Sequence, residues 1–282
     1  MRIHHLNCGC MCPFGGRLFD GNSHGLFAHL VCHCWLIETE RDGLVLVDTG
    51  FGSADVESPD RIASFFRKLN NIKFEHALTA VSKVRALGFA PSDVRHIVLT
   101  HLDFDHAGGL SDFPDATVHV MQSEYRAAKV LEGWRATRRY RETQWQRRLD
   151  WQFYEPLGEQ WKGFSGVMPV RGLHEEILMV PLPGHSSGHA GIAVPSQGQW
   201  KLHAGDAYFH HDEVHKPRRH CPPGLRFYQR MMDEDHAVRV NTQNRLRALA
   251  LTEPDQVQII CSHDAAELRG VQSMSSRQYA AS

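Results

Sequence analysis

Apolar residues along the chain fall into short runs cut by polar turns, with longer amphipathic stretches between them. Residues 31–38 (VCHCWLIE) and Leu44–Val47 (LVLV) predict two strands joined through Glu40-Arg41-Asp42-Gly43, a hairpin signal. The second run ends abruptly at Asp48-Thr49-Gly50. Residues 59–70 and 75–87 are patterned as helices, the latter stopped by Gly88. Residues 95–100 (RHIVLT) form a short buried strand that runs into an acidic, His-rich loop, and 117–121 predict another strand. Residues 123–149 predict a long helix or helices rich in Arg and Trp. Strands are predicted over 177–181, 189–194, 200–205 and 256–261, a mostly helical stretch over 225–251, and a frayed tail from Gly270. Short strands and helices in two successive blocks, without repeat or linker, favour one α/β domain over 1–282, sheets inside and helices outside.

Composition narrows the function classes. Apolar residues are 42% and charged residues 22%, ordinary for a globular chain and incompatible with wholesale disorder. Lys plus Arg is 31 against 32 Asp plus Glu, a net charge of −1 that argues against nucleic acid or an anionic membrane as partner and leaves a small-molecule substrate. No apolar run approaches the ~18 residues of a spanning helix, and the opening MRIHHLNCGCMCPF has no apolar core of a secretory signal. The seven cysteines (Cys8, Cys10, Cys12, Cys32, Cys34, Cys221 and Cys261) are an odd number without a framework of pairs, which suggests a reduced, cytoplasmic chain. Cys8-x-Cys10-x-Cys12 would share one face of an extended segment. Its spacing is wrong for a zinc knuckle, so packing is the expected role.

The candidate chemistry centres on His101-Leu102-Asp103-Phe104-Asp105-His106, four possible ligands in six residues directly after an apolar strand. A loop can turn several such side chains onto one point, where a strand or helix would spread them. Similar positions follow other apolar runs: His185 in Pro183-Gly184-His185-Ser186-Ser187-Gly188-His189, Asp206 in His203-Ala204-Gly205-Asp206, and His263 in Cys261-Ser262-His263-Asp264. Imidazole with carboxylate suits zinc, iron or manganese better than calcium or magnesium.

In order and content these motifs resemble the metallo-β-lactamase superfamily. The style is closest to that of N-acyl-homoserine lactonases: Cys34-Trp35-Leu36-Ile37-Glu38-Thr39-Glu40, Val47-Asp48-Thr49-Gly50, Phe104-Asp105-His106-Ala107-Gly108-Gly109, Gly184-His185-Ser186-x-Gly188-His189, and Asp206-Ala207 followed by a Tyr. The likeness runs from residue 31 to residue 265, with 122–170 alike only in character, as a helical insertion. It implies a four-layer αββα sandwich with two divalent metal ions, zinc by default, at one edge of the sheets. By that mapping His101, Asp103 and His185 hold the first ion, Asp105, His106 and His263 the second, and Asp206 bridges. Asp48 would orient ligands, His189 would pack beside them, and His203, His210, His211, His215 and His220 would form a rim at most. The implied reaction is attack of a metal-bridging hydroxide on a lactone or carboxylic ester, with Asp105 shuttling a proton and Tyr208 supporting the carbonyl oxygen.

One position departs from the pattern: the family has His where this chain has Asp103. A carboxylate there favours iron or manganese and leaves open an iron-dependent redox enzyme on the same fold. The 131–154 segment interleaves Trp134, Trp145, Trp151, Phe153 and Tyr154 with Arg135, Arg138, Arg139, Arg141, Arg147 and Arg148. It reads either as a flap over an acyl chain and an anion, or as a surface helix or homodimer contact, the second being the commoner use of such a stripe.

Overall fold

The computed structural model describes residues 1–146 and 149–279. Strands β1 (Arg2–Met11), β2 (Leu30–Glu38), β3 (Leu44–Val47), β4 (Ile72–Lys73), β5 (Val94–Val98), β6 (Thr117–Met121) and β7 (Asp150–Tyr154) make one sheet in the order β4-β1-β2-β3-β5-β6-β7. Strands β8 (Glu159–Trp161), β9 (Phe164–Pro169), β10 (Leu178–Pro181), β11 (Ala190–Ser196), β12 (Gln199–His203) and β13 (Val257–Ile260) make the other, in the order β13-β12-β11-β10-β9-β8. Helices α1 (Arg17–Asp20), α2 (Ser53–Glu57), α3 (Ser64–Leu69), α4 (Ala80–Ala86), α5 (Gln122–Val130), α6 (Gly133–Arg139), α7 (Pro223–Met232), α8 (His236–Thr252) and α9 (Ala265–Tyr279) flank them. The layers are helix, sheet, sheet and helix, as the αββα expectation has it.

Period-two alternation explains the layering. Trp35, Ile37, Val45 and Val47 point to one face of the first sheet and pack against Met179, Ile192 and Ile260 of the second. Their neighbours Cys34, Leu36, Leu44 and Leu46 face the other way, onto Val81 and Val84 of α4. Val180, Ala193, Leu202 and Ile259 pack under Leu246 and Leu249 of α8, whose first turn is capped by the Asp235 carboxylate accepting from the Val238 N–H. The β2–β3 hairpin forms as expected, with Trp35 opposite Val47. β3, β5, β6 and β7 run parallel, as do β12 and β13, so the loops leaving β3 and β5, and those leaving β12 and β13, start from a common edge of their sheet.

Four elements differ from the sequence expectation. β1 pairs with β2 along Arg2–Met11, a strand whose period is blurred by half-buried His4, His5 and Asn7 and by a bulge between Asn7 and Cys10. Residues 59–70 keep only α3 as α-helix, after a 3₁₀ turn at Pro59–Arg61. The 122–170 segment is more than helices: α5 stops at Leu131 (φ 52°), and β7, β8 and β9 follow, β7 extending the first sheet and β8 and β9 the second. The tail is helical through Tyr279 rather than frayed, because Leu268 and Val271 of α9 are buried in the core between the sheets. Among the described residues, no helix is long and apolar enough to cross a membrane.

Candidate metal centre

The expected ligands lie on loops that follow β5, β10, β12 and β13, and they converge. His106 Nε2 is 3.2 Å and His263 Nε2 3.1 Å from Asp206 Oδ1, while Asp105 Oδ2 is 3.5 Å from His263 Nε2. Donors roughly 2.1 Å from a shared ion stand roughly 3.0–3.5 Å apart, so these spacings fit one ion. Three of the four imidazoles are fixed through their other nitrogen, while His185 Nδ1 has no hydrogen-bond partner. His106 Nδ1–H donates to Asp48 Oδ2 (2.8 Å), and His263 Nδ1–H to the Val31 carbonyl (2.7 Å). His101 Nδ1–H donates to Thr100 Oγ1 (2.9 Å), whose own proton goes to Asp48 Oδ2 (2.7 Å). The Nε2 lone pairs therefore face the cluster. His101 Nε2, His106 Nε2 and Asp206 Oδ1 are buried without a hydrogen-bond partner, the pattern of a site completed by a cation.

The carboxylates differ in character. Burial pushes Asp206 up, but His263 and His106 outweigh it and hold the carboxyl well below its ordinary value. Asp105 goes the other way: burial, reinforced by the Asp206 and Asp103 charges, raises it despite His106 and His263.

A second group gathers around Asp103. Its Oδ2 is 3.4 Å from His101 Nε2 and 3.2 Å from His185 Nε2, and those nitrogens are 3.8 and 3.4 Å from Asp206 Oδ2. Arg139 enters this group from the end of α6 and is only 3% exposed. Its Nε donates to Asp103 Oδ1 (2.6 Å) and its Nη2 to Asp103 Oδ2 (2.7 Å), a bidentate pair. Nη2 also reaches His185 Nε2 (2.8 Å), and Nη1 donates to the carbonyls of His185 (3.2 Å) and Met232 (3.1 Å). Burial alone would raise Asp103; the guanidinium outweighs it and keeps the carboxyl well below its usual range.

Sequence reasoning treated Arg139 as one arginine in a run, and no local signal distinguishes it. It missed Glu124 as well. Oε1 of Glu124 accepts from the Leu102 N–H (3.0 Å) and the Tyr140 hydroxyl (3.1 Å), and Oε2 from the Ser186 hydroxyl (2.7 Å) and the Gly188 N–H (3.1 Å). One carboxylate thus ties two ligand loops together. His189 positions Asp206: its Nδ1–H donates to the Leu182 carbonyl (2.9 Å) and its Nε2 accepts from the Asp206 N–H (2.9 Å).

Tyr208 is engaged elsewhere. Its hydroxyl donates to Glu267 (2.9 Å) in the apolar layer under the second sheet, and Phe209 is the residue whose ring meets His263, 4.7 Å between centroids. A phenol near the cluster comes instead from Tyr228 on α7, which packs on Phe209 (5.9 Å) and accepts from Asn70 Nδ2 (3.1 Å). Burial, then the charge of Asp105, pushes that phenol up.

The remaining histidines are scattered in role. His203 donates to the His33 carbonyl, His211 pairs with Asp264, His215 with Glu267, and His210 and His220 lie near that rim. Cys8 packs with Cys34 in the core, whereas Cys10 Sγ approaches Cys12 Sγ (3.5 Å) and His29 Nδ1 (3.4 Å), the bulge having broken the common face. Cys32 lies within ligand distance of Asp105 and His263. In the 131–154 segment the aromatics mostly pack: Trp145 and Tyr154 are buried, and Trp151 and Phe153 stack on each other beside Tyr125. The side chains of Trp134 and Arg135, and residues Arg147 and Arg148, lie outside the described residues.

Comparison with known proteins agrees with this geometry. The model of the metallo-beta-lactamase superfamily matches residues 29–249. A probable metallo-hydrolase of Mycobacterium tuberculosis is 39% identical over 264 residues, 94% of this chain and 80% of its own length. An N-acyl homoserine lactonase of Bacillus cereus is 28% identical over 195 residues, 66% of this chain and 69% of its own. The structure of a B. thuringiensis AiiA mutant with N-decanoyl-L-homoserine at its active site superposes with a TM-score of 0.67 at 22% identity, covering 95% of each chain. The fold and its His/Asp cluster imply divalent metal ions, and the chain belongs to the metallo-beta-lactamase superfamily of metallo-hydrolases.

Proposed function

We propose that the protein opens a lactone or cleaves a carboxylic ester, an N-acyl homoserine lactone being the first substrate to try. The observation that carries this reading is the buried trio His106 Nε2, His263 Nε2 and Asp206 Oδ1, with Asp105 beside it. These four residues would hold a divalent ion, zinc by ligand chemistry. A metal there supplies an acidified water near neutral pH and Lewis acidity toward a carbonyl.

The chain's own residues do the rest. Asp105, 3.5 Å from His263 Nε2 at the edge of the cluster, would accept the proton of the attacking water and return it to the leaving alkoxide. Tyr228, whose oxygen accepts from Asn70, has an O–H to offer the carbonyl oxygen. A cavity of about 750 Å³ beside Arg139 is lined by Ala127, Val130 and Ala136 together with Arg126, Glu132 and Glu234, room enough for an acyl chain along its apolar side. All seven cysteines are free thiols, in keeping with a reducing, cytoplasmic setting.

The test is a panel of N-acyl homoserine lactones, simple lactones, aryl esters and phosphodiesters. Turnover of lactones or carboxylic esters in preference to phosphodiesters is expected. Rapid phosphodiester cleavage with no ester or lactone turnover would reject the substrate class.

A further inference from the structure

We infer that the Arg139 guanidinium stands in for one of the two metal ions, so that the protein works with a single ion held by His106, His263, Asp206 and Asp105. The inference rests on the metal-dependent reading above but not on its substrate.

The first argument concerns lone pairs. A guanidinium has donors only and is never deprotonated in proteins. Its 2.8 Å contact with His185 Nε2 therefore requires that nitrogen to be the acceptor, and an imidazole nitrogen has one lone pair. The lone pair that would bind an ion is already directed at Nη2. Both Asp103 oxygens also accept from the guanidinium, at 2.6 and 2.7 Å, so an ion there would share the carboxylate with a fixed cation. Of the two histidines expected at the first metal position, only His101 keeps an unpartnered Nε2; the nitrogen of His185 without a partner is Nδ1.

The second argument is charge. Asp103 and Arg139 neutralise each other, and one divalent ion neutralises Asp105 and Asp206. A second divalent ion would stand beside a fixed cation in a buried site, with Asp48, behind His106, left to offset one of its two charges.

The third argument is construction. Arg139 is not a surface arm that happens to fold inward. The backbones of Asp103 and Tyr140 form a β-bridge that fixes the end of α6 to the ligand loop. The Tyr140 hydroxyl donates to Glu124, and the Arg139 Nη1 is held by two carbonyls. The departure at position 103 thereby acquires a reason. A neutral histidine at 103 could accept one hydrogen bond from the guanidinium but could not offset its charge, whereas a carboxylate does both.

The test counts ions. Metal-free wild type is titrated with Co²⁺ and, separately, dialysed against Zn²⁺, with absorption, Co²⁺ EPR and elemental analysis as readouts. One tight equivalent per chain is expected, with an uncoupled EPR signal and any second equivalent at least roughly tenfold weaker. Arg139→Met, which frees Asp103 and His185, should take up a second ion, and Asp103→His combined with Arg139→Met should hold it more tightly. Two comparably tight ions in the wild type would overturn the inference, as would a folded Arg139→Met that still binds one. If Arg139→Met does not fold, the wild-type titration decides alone, one end point supporting the inference and two refuting it. A single-ion count with no ester or lactone turnover would reject the substrate reading and leave this one standing.

Discussion

Asp103 and Arg139 are each unusual alone and intelligible as a pair. Removing one partner of a buried ion pair strands the other charge, which typically costs about 3–5 kcal/mol. Asp103→Asn should therefore lower the unfolding free energy by about that much in urea melts, far more than a surface substitution. A loss within about 0.5 kcal/mol would mean that the pair is not formed in solution. Tyr228→Phe removes only a hydroxyl and should lower turnover with ion content unchanged, whereas Tyr208→Phe should act on stability through Glu267. Equal turnover in Tyr228→Phe and wild type would leave that phenol a packing residue. The candidate ligands could be picked out in the sequence because His and Asp recur at strand ends. Arg139 and Glu124 were not, because their partners depend on where α5 and α6 lie against the 101–106 and 185–188 loops, and nothing local encodes that placement.

Strands and loops divide the work. The strands hold the edge from which the loops start, and the loops are fixed by close backbone approaches. A Cβ at Gly188 would stand 2.2 Å from the Glu124 N, so Gly188→Ala must push the 185–188 loop off α5. Its expected signature is weakened ion retention at preserved secondary structure, read by circular dichroism and elemental analysis; unchanged retention would uncouple Gly188 from the site. At this scale the buried strands were the easiest to read, since β3 is a continuous apolar run and β2 is interrupted only by His33 before its terminal Glu38. β1 and β7 escaped, being half-buried with mixed polarity. The fate of the tail was decided by Leu268 and Val271, two apolar residues too few to stand out in a polar stretch.

The whole molecule carries neutral histidines away from the metal centre, among them buried His119 and half-buried His5. Burial, then the charge of His203 for His5 and of His96 for His119, lowers each from 6.5 to about 3. His119 contacts the Tyr154 hydroxyl and His96, and His5 contacts His33, all in uncharged partnerships. The unfolded chain binds these protons below pH 6.5 and the folded one does not until about pH 3. Their contribution to stability is thus complete above pH 6.5 and is lost as pH falls through that window, at up to about 1.4 kcal/mol per pH unit for each group. Urea melts at pH 7 and pH 5 should show the drop, and His119→Gln should flatten it; equal stability at both pH values would contradict it. Since an ion that binds only the folded state stabilises it by mass action, chelation should also lower the melting temperature.

The central claim is that the ion gathered by His106, His263 and Asp206 drives hydrolysis of a lactone or carboxylic ester. The most direct measurement is steady-state turnover of an N-acyl homoserine lactone and an aryl ester by wild type and by His263→Ala, with ion content determined on the same samples. The account predicts turnover by the wild type, and loss of both turnover and bound ion in His263→Ala. A variant that keeps its ion and full activity, or a metal-loaded wild type inert toward every lactone and ester offered, would contradict it.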